Sequence, residues 1–201
     1  MGPQFINSSL TCYRACVKWA TTKPPRINRQ PGLSVAFQTK ERERLEKEWG
    51  NQQIGQVGNG QWTTRMGEQL VYDTLRLGGE VPRRPQKRGG FLPDWETDKF
   101  IYEVKTRNWT VGGTAGEKVL GTWIKYQDIP HLYDKPLRIV CVAYQEEELT
   151  TGKTKYFGPC ITDRTRTLLS LARSWNIEYV RFSDLLREYA PDIINGSTVS
   201  D

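Results

Sequence analysis

The chain has 201 residues, a length that fits one domain with an added arm and argues against a two-domain enzyme. No stretch approaches the roughly 20 apolar residues that span a bilayer, and the first residues lack the charged and apolar segments of a signal peptide. We therefore expect a soluble, intracellular, cytoplasmic protein with no membrane partner. The 29 Lys and Arg exceed the 23 Asp and Glu, and the net charge of +6 favours a polyanionic partner.

Cysteine and histidine are too sparse for the common metal sites. The four cysteines form no Cys-x-x-Cys pair, and His131 is the single histidine. Classical zinc fingers, histidine-rich metal sites, and nucleases that combine a histidine base with a histidine ligand are therefore disfavoured. We expect buried thiols at Cys12, Cys16, Cys141 and Cys160.

Residues 1–62 differ from the rest of the chain and are predicted to form an N-terminal arm. A short helix is expected over residues 7–20, before the helix-breaking Pro24 and Pro25. A second, highly charged helix is expected over Thr39–Trp49. The arm has little apolar content of its own, so we expect it to pack on another part of the protein.

An amide-rich segment, residues 50–62, joins the arm to the core. It contains four glycines, four glutamines and two asparagines, a composition typical of a loop. Asn and Gln can form bidentate hydrogen bonds with adenine, and glycine lets backbone approach a DNA groove closely. The segment is a candidate DNA-recognition loop, although a hydrophilic linker would have the same composition. Its candidate readers are Asn51, Gln52, Gln53, Gln56, Asn59 and Gln61.

The core is predicted over residues 63–195, followed by a tail at 196–201. Helices and strands alternate here, which indicates an α/β fold with a central sheet flanked by helices. The first half comprises a helix at Thr63–Leu77 and strands at Glu80–Arg84, Phe91–Asp94 and Phe100–Trp109. The second half comprises an apolar central strand at Leu137–Tyr144, a partner strand within 154–161, a helix at Asp163–Trp175, a strand at Ile177–Phe182, and a helix that Ser183 caps and that ends before Pro191.

Two carboxylates and a lysine are expected to converge in a hairpin of this core. Asp94 ends one predicted strand, and Glu103 and Lys105 lie in the next, on one face because side chains alternate along a strand. Two neighbouring carboxylates repel unless a cation joins them, and Mg²⁺ prefers such hard oxygen ligands. Lys105 could then orient or deprotonate a water, or neutralise charge on a phosphate. The alternative is a solvated face of an edge strand. Against it, Arg107 adds a third charge on this face, while Phe100, Tyr102 and Val104 are expected to bury the other.

The residues Pro93-Asp94 and Glu103-Val104-Lys105, in this order of helices and strands, resemble the PD-(D/E)XK nuclease superfamily. The resemblance covers about Thr63 to Arg181 and implies a restriction-endonuclease-like core with a mixed sheet. It also implies Mg²⁺-dependent hydrolysis of phosphodiester bonds, with Asp94 and Glu103 as metal ligands. Glu68, in the preceding helix, matches by position an additional acid of that family, although a charge that favours the helix dipole would lie there too.

Basic residues near the hairpin are candidate phosphate contacts. One group follows the first predicted helix of the core and comprises Arg83, Arg84, Lys87 and Arg88. A glycine-rich segment at 112–116 leads into Lys118, where backbone amides and Lys118 or Lys125 could hold a DNA phosphate. For these lysines a solvated surface is the alternative.

A small nuclease core with an amide-rich loop resembles a type II restriction endonuclease. The resemblance implies sequence-specific cutting of double-stranded DNA, usually by a homodimer, because two active sites must cut two strands. Two other functions remain open from the sequence. One is a structure-selective nuclease of DNA repair or recombination, and the other is a non-catalytic DNA-binding protein on an inactivated nuclease fold.

Overall fold

The protein, represented by a computed structural model, is described over residues 10–25, 32–55, 62–110 and 119–194. Within these ranges the centre is a four-stranded mixed sheet in the order β1-β2-β3-β4. The strands are β1 (Trp95–Glu96), β2 (Ile101–Arg107), β3 (Leu137–Ala143) and β4 (Ile177–Arg181). β1 pairs antiparallel with β2, whereas the pairs β2–β3 and β3–β4 are parallel. The prediction of an α/β fold with a mixed sheet flanked by helices is confirmed.

The helices of the described residues precede, follow and connect these strands. They are α1 (Leu10–Thr21), α2 (Val35–Gln53), α3 (Trp62–Leu77), α4 (Thr122–Lys125), α5 (Ile129–Tyr133), α6 (Tyr144–Thr151), α7 (Asp163–Ser174), α8 (Phe182–Tyr189) and α9 (Pro191–Ile194). None of them combines the length and the apolar character that crossing a bilayer requires.

Alternate residues of the strands face two different layers of helices, as the period of a β-strand requires. Tyr102 and Val140 face the layer formed by α1, α3 and α8. Ile101, Ile139 and Ile177 face the opposite layer, formed by α4, α5 and α7. The central strands are thus covered on both sides, which explains the apolar run of β3.

Helix α3 lies very close to β2 because residue 67 is glycine. A Cβ atom at Gly67 would fall 1.6 Å from Oγ1 of Thr106 in β2. The same helix is joined to the hairpin by Trp95, whose Nε1 donates to the backbone carbonyl of Glu68 at 2.8 Å. These contacts fix the position of α3 relative to β1 and β2.

The two helices of the arm pack on the core. Helix α1 buries Tyr13 and Cys16 against it, and the Tyr13 hydroxyl lies 2.7 Å from Oγ1 of Thr74. Helix α2 is joined to the end of β2 by Glu46, whose carboxylate accepts hydrogen bonds from the Trp19 indole and from the backbone N–H of Trp109, each at 2.9 Å.

The prediction of a loop from residue 50 is wrong for its first part. Helix α2 begins after Ser34, whose hydroxyl accepts from the N–H of Phe37 at 3.2 Å, and continues to Gln53. Gly50 lies within the helix, and a Cβ there would fall 2.1 Å from the Trp62 ring. This glycine therefore allows two helices to approach and does not end one.

Two of the predicted strands before the hairpin are single bridges. In the segment 80–84 only Arg83 pairs, with Glu96, and in 91–94 only Phe91 pairs, with Arg88. Pro82 and Pro85 lack the N–H group that a continued ladder needs, and Gly89 and Gly90 turn the chain with φ of 53° and 85°.

The structure corrects some predictions for the second half and for the cysteines, and confirms others. Residues 154–161 do not pair with β3, because β2 and β4 occupy both of its edges. Ser183 lies inside α8 and donates through its backbone N–H and hydroxyl to Glu146, so it is not the cap. The helix at 163–174 and the end of α8 before Pro191 are confirmed. Cys16 and Cys141 are buried as expected, whereas Cys160 is exposed.

Candidate active site

The hairpin β1–β2 brings Asp94 beside Glu103. Asp94 directly precedes β1, in which Trp95 pairs with Tyr102. Its backbone N–H donates to the carbonyl of Tyr102 at 3.1 Å, and its side-chain Oδ2 accepts from the N–H of Val104 at 2.7 Å. The Asp94 carboxylate thus satisfies a backbone donor of β2 and is held at the strand.

Glu103 and Lys105 lie on one face of β2 and form an ion pair. Lys105 Nζ donates to Glu103 Oε1 at 2.6 Å, and the two side chains are 29% and 6% exposed. The other oxygen of Glu103, Oε2, is buried and has no hydrogen-bond partner in the described part of the chain. An unpartnered buried carboxylate oxygen is destabilising, so it marks a place where a ligand would be stabilised.

The field around Asp94 is strongly negative. The pKa of the Asp94 carboxyl is raised to about 7, chiefly by burial and then by the charges of Glu103 and Glu68, while the Val104 N–H and Lys105 act in the opposite direction. Both effects disfavour the ionised carboxylate. A cation bound between the carboxylates would relieve this repulsion.

Glu68 is near this field but is held by a cation of the protein. Arg84 Nη2 donates to Glu68 Oε2 at 2.6 Å, and Arg84 Nη1 donates to the backbone carbonyl of Asp94 at 2.9 Å. The guanidinium also lies 4.0 Å from the centroid of the Trp95 ring. Arg84, which we predicted to contact DNA phosphates, therefore links α3 to the hairpin.

Tyr126 and Lys125 border the site, and our sequence interpretation did not include Tyr126. The Tyr126 ring lies 5.9 Å from Lys105 Nζ, and its hydroxyl accepts from Lys125 Nζ at 3.2 Å. Burial raises the pKa of Tyr126, and the negative charge of Glu103, a side-chain hydrogen bond with Glu103 and the charge of Asp94 raise it further. Its type and its place shortly after a glycine-rich segment gave no signal that distinguishes it from a core tyrosine.

The donor set fits Mg²⁺ better than a metal that needs a complete protein cage. In the ranges described, no group of three or more His, Cys, Asp and Glu side chains is arranged to hold an ion. Asp94 and Glu103 supply two carboxylates, and Glu103 Oε2, which has no hydrogen-bond partner in the described ranges, is suited to a hard cation. Mg²⁺ is commonly held by one or two carboxylates, with waters and substrate phosphate completing its shell.

Arg83, a predicted phosphate contact, and Arg107, a predicted third charge on the face of Glu103, both have partners within the protein. Arg83 pairs with Glu96 at 3.1 Å and Asp98 at 3.0 Å. Arg107 is buried and pairs with Glu148 at 2.7 Å, so it does not add a free charge to the face of Glu103. Lys87, in contrast, is exposed.

The amide-rich residues are divided by the extension of α2. Asn51 is buried, Gln52 is exposed, and Gln53 accepts a hydrogen bond from the Cys12 thiol at 3.2 Å. The other candidates for DNA contact, Gln56, Asn59, Gln61 and Lys118, lie outside the described residues, as do the glycine-rich segment 112–116 and the tail 196–201.

Comparisons of the chain with protein-family models, with curated proteins and with solved structures find no match. The resemblance to PD-(D/E)XK nucleases therefore stays a prediction, and a function has to be argued from the residues of the site.

Proposed function

We propose that the protein is a Mg²⁺-dependent, sequence-specific endonuclease of double-stranded DNA, similar to a type II restriction enzyme with a restriction-endonuclease-like core. The observation that carries the proposal is the geometry around Glu103. One of its oxygens is bound by Lys105 at 2.6 Å, and the other is buried and has no hydrogen-bond partner among the described residues. Two acids and an ammonium that cluster at one hairpin are suited to phosphodiester hydrolysis.

In this proposal Asp94 and Glu103 hold the magnesium ion. When bound, the ion supplies Lewis-acid polarisation of a phosphoryl oxygen and lowers the pKa of a coordinated water. The Val104 N–H keeps the Asp94 carboxylate oriented, which limits its freedom to turn away from Glu103. A rigid pair of carboxylates reduces the entropy that ordering a metal site would otherwise cost.

Lys105 acts on the water and on the phosphate. Its ammonium is anchored on Glu103 Oε1, yet the side chain is 29% exposed, so it can still reach a ligand in the open part of the site. There it orients the attacking water and neutralises negative charge that develops on the phosphate. Glu68 supports the site through Arg84, which also binds the backbone of Asp94.

The net charge of +6 supports a polyanionic substrate. Cutting both strands of a duplex requires two sites, so we propose that the protein acts as a homodimer. The amide-bearing Gln52, exposed at the end of α2, is the described residue that favours sequence reading over structure-selective cutting.

The test is digestion of a plasmid and of short duplexes with the purified protein in Mg²⁺ or in EDTA. We expect discrete fragments with Mg²⁺ and none with EDTA. Nicks confined to junctions or flaps would instead identify a structure-selective nuclease, and DNA binding without cuts would identify a non-catalytic protein.

Variants of the site make this test specific. Asp94→Asn, Glu103→Gln and Lys105→Ala should each lose cutting while DNA binding in EDTA persists. Asp98→Asn is the matched control, because this carboxylate lies in the same hairpin, is 85% exposed, and contacts Arg83 rather than the site. Full activity in any of the three site variants would contradict the proposal.

A further inference from the structure

A second concave region lies over β4, the edge strand at the opposite end of the sheet from β1. It is a cavity of about 330 Å³ between helix α7, strand β4 and the segment 156–161. Three arginines line it, Arg166, Arg173 and Arg181, together with one acid, Asp184, and the aromatic residues Tyr156, Phe157 and Tyr179. We name this region the arginine pocket. Its volume is at the lower end of the range for small-ligand pockets.

Two of the three arginines, Arg166 and Arg173, have no close carboxylate partner among the described residues. Arg181 is neutralised by Asp184, which accepts from its Nε at 2.6 Å and from its Nη2 at 3.0 Å. Among the described carboxylates, Arg166 contacts only Asp163, at 3.8 Å, and the Asp163 side chain is fully exposed to water. No carboxylate of the described residues pairs with Arg173. Guanidinium groups without a protein partner are suited to bidentate binding of phosphate.

The remaining lining offers a surface for a flat ring. Tyr156 and Tyr179 pack edge to face with their centroids 4.8 Å apart, and the Tyr179 hydroxyl is used by the Val119 carbonyl at 2.6 Å. Phe157 and Ile161, both half-buried, add apolar area beside the arginines. A phosphate next to an apolar wall matches the two parts of a nucleotide.

The pocket shares a register row with the candidate active site. Lys105 pairs with Cys141 in β3, and Cys141 pairs with Arg181 in β4. Two strand spacings separate Lys105 from Arg181, which amounts to about 10 Å. This distance corresponds to about three nucleotides of rise along one DNA strand. Cys141 between them is buried under Val119, Leu149 and Leu169, so a strand in the active site would have to pass over this cover and would reach the pocket with a phosphate at least about three nucleotides away.

We infer that the arginine pocket binds the phosphate of a nucleotide, with Arg166 and Arg173 as the cations and Phe157 beside the base or sugar. If the protein is the proposed nuclease, this nucleotide is part of the DNA held in the active site, and that part of the inference rests on the proposed function. A free mononucleotide has the same chemistry, and the experiment distinguishes the two.

The experiment measures binding of thymidine 5′-monophosphate and of a short DNA duplex in EDTA, where cutting is suppressed. The variant is Arg166→Ala/Arg173→Ala. The control is Arg164→Ala, because Arg164 lies on the same helix α7 and removes the same type of charge but does not line the pocket. Thermal unfolding of each variant verifies that the fold is retained.

For a pocket that holds DNA, the double variant should bind the duplex about tenfold more weakly than the wild type. The dependence of its binding on salt should also fall by about one unit of slope for each lost phosphate contact. Arg164→Ala should bind nearly as well as the wild type. Equal losses in the control and the double variant, or no loss in the double variant, would overturn the inference.

Failure of the proposed function gives a different pattern. If the wild type ignores the duplex but binds thymidine 5′-monophosphate, and only the double variant loses that binding, the pocket is a nucleotide site and the DNA proposal is wrong. If the duplex is cut normally by the double variant and bound with unchanged affinity, the nuclease proposal stands and the pocket has no role in binding. Failure of both probes to bind the wild type would contradict both.

Discussion

Arg84 binds the carboxylate of Glu68 at 2.6 Å, so an acid of helix α3 and the hairpin that carries Asp94 are held by one guanidinium. The ion pair is partly shielded, because the Glu68 side chain is 16% exposed and the guanidinium packs on the Trp95 ring. Arg84 is thereby committed to the protein, whereas a phosphate contact would require it to be free.

Replacing Arg84 should therefore affect cutting more than binding. We expect Arg84→Ala to reduce the cleavage rate by about 10- to 100-fold, the usual effect of removing a residue that orients a metal site. Duplex affinity and its dependence on salt should change little. The measurement is single-turnover cleavage together with duplex binding at several salt concentrations. Arg83→Ala is the control, since Arg83 pairs with Glu96 and Asp98. If duplex binding by Arg84→Ala depends less on salt while the cleavage rate is unchanged, Arg84 contacts a phosphate, as the sequence predicted.

Gln52 and Gln53 are neighbours in α2 with different surroundings, so they separate base reading from stability. Gln52 is exposed, and we expect Gln52→Ala to relax the choice of cleavage sequence without altering the melting temperature. Gln53→Ala should instead lower the free energy of unfolding by about 1 kcal/mol, because the Cys12 thiol loses its acceptor. Mapping the ends of digested DNA of known sequence gives the first readout and urea unfolding the second. Unchanged sequence choice in Gln52→Ala would remove this residue from the readers.

Glu46 is predicted to be the main polar connection between the arm and the core. Its carboxylate accepts from Trp19, Trp109 and Thr110, so an alanine there leaves several partly buried donors unpaired. We expect Glu46→Ala to lower the free energy of unfolding by about 2–4 kcal/mol. Glu41→Ala should change the free energy of unfolding far less, because its pair with Arg44 is exposed. Urea unfolding of both variants decides the point, and equal effects would mean that the arm is held by apolar contacts alone.

Asp73 should make the protein less stable as the pH rises. Burial raises the pKa of Asp73 to about 6, and the Gln69 hydrogen bond and Arg76 only partly oppose this. The unfolded chain, in which an aspartate titrates near about 4, loses its proton first, so the free energy of unfolding falls between about pH 4 and pH 6. Asp73→Asn removes this contribution and should be more stable than the wild type by about 2 kcal/mol at pH 7.

The measurement for Asp73 is the difference in unfolding free energy between wild type and Asp73→Asn across this pH range. Comparing the two proteins cancels the titration of other groups. The exposed Asp163 provides the control substitution Asp163→Asn. A difference that is the same at pH 4 and pH 7 would mean that Asp73 is ionised in the folded protein as readily as in the unfolded chain.

Elements with a strong apolar period could be predicted from the sequence. Thr63–Leu77 was expected as a helix and is observed at Trp62–Leu77, and the apolar run at Leu137–Tyr144 is observed as β3 over Leu137–Ala143. The contact of Asp94 with β2 beside Glu103 also followed from strand alternation and a short turn. These features depend on patterns among residues that are close in the sequence, so the sequence alone is enough to predict them.

Features that depend on a distant partner could not be predicted. Gly50 lies in a segment whose composition is typical of a loop, and its role becomes clear only from the ring of Trp62, against which it packs. In the sequence Arg84 resembles any surface cation, and its role in linking helix and hairpin depends on Glu68 from another element. Tyr126 borders the site only because the chain after the hairpin folds back over β2. In each case the partner is set by the tertiary fold and not by neighbouring residues.

The missing side chain at residue 67 has a consequence for the chemistry one residue further on. Because Gly67 meets Thr106 directly, even a methyl group would act as a wedge and push α3 outward. Glu68 would then move away from Asp94 together with the helix. The size of the side chain at residue 67 therefore sets the distance between α3 and β2, and with it how close the Glu68 carboxylate lies to Asp94, although residue 67 itself has no reactive atoms.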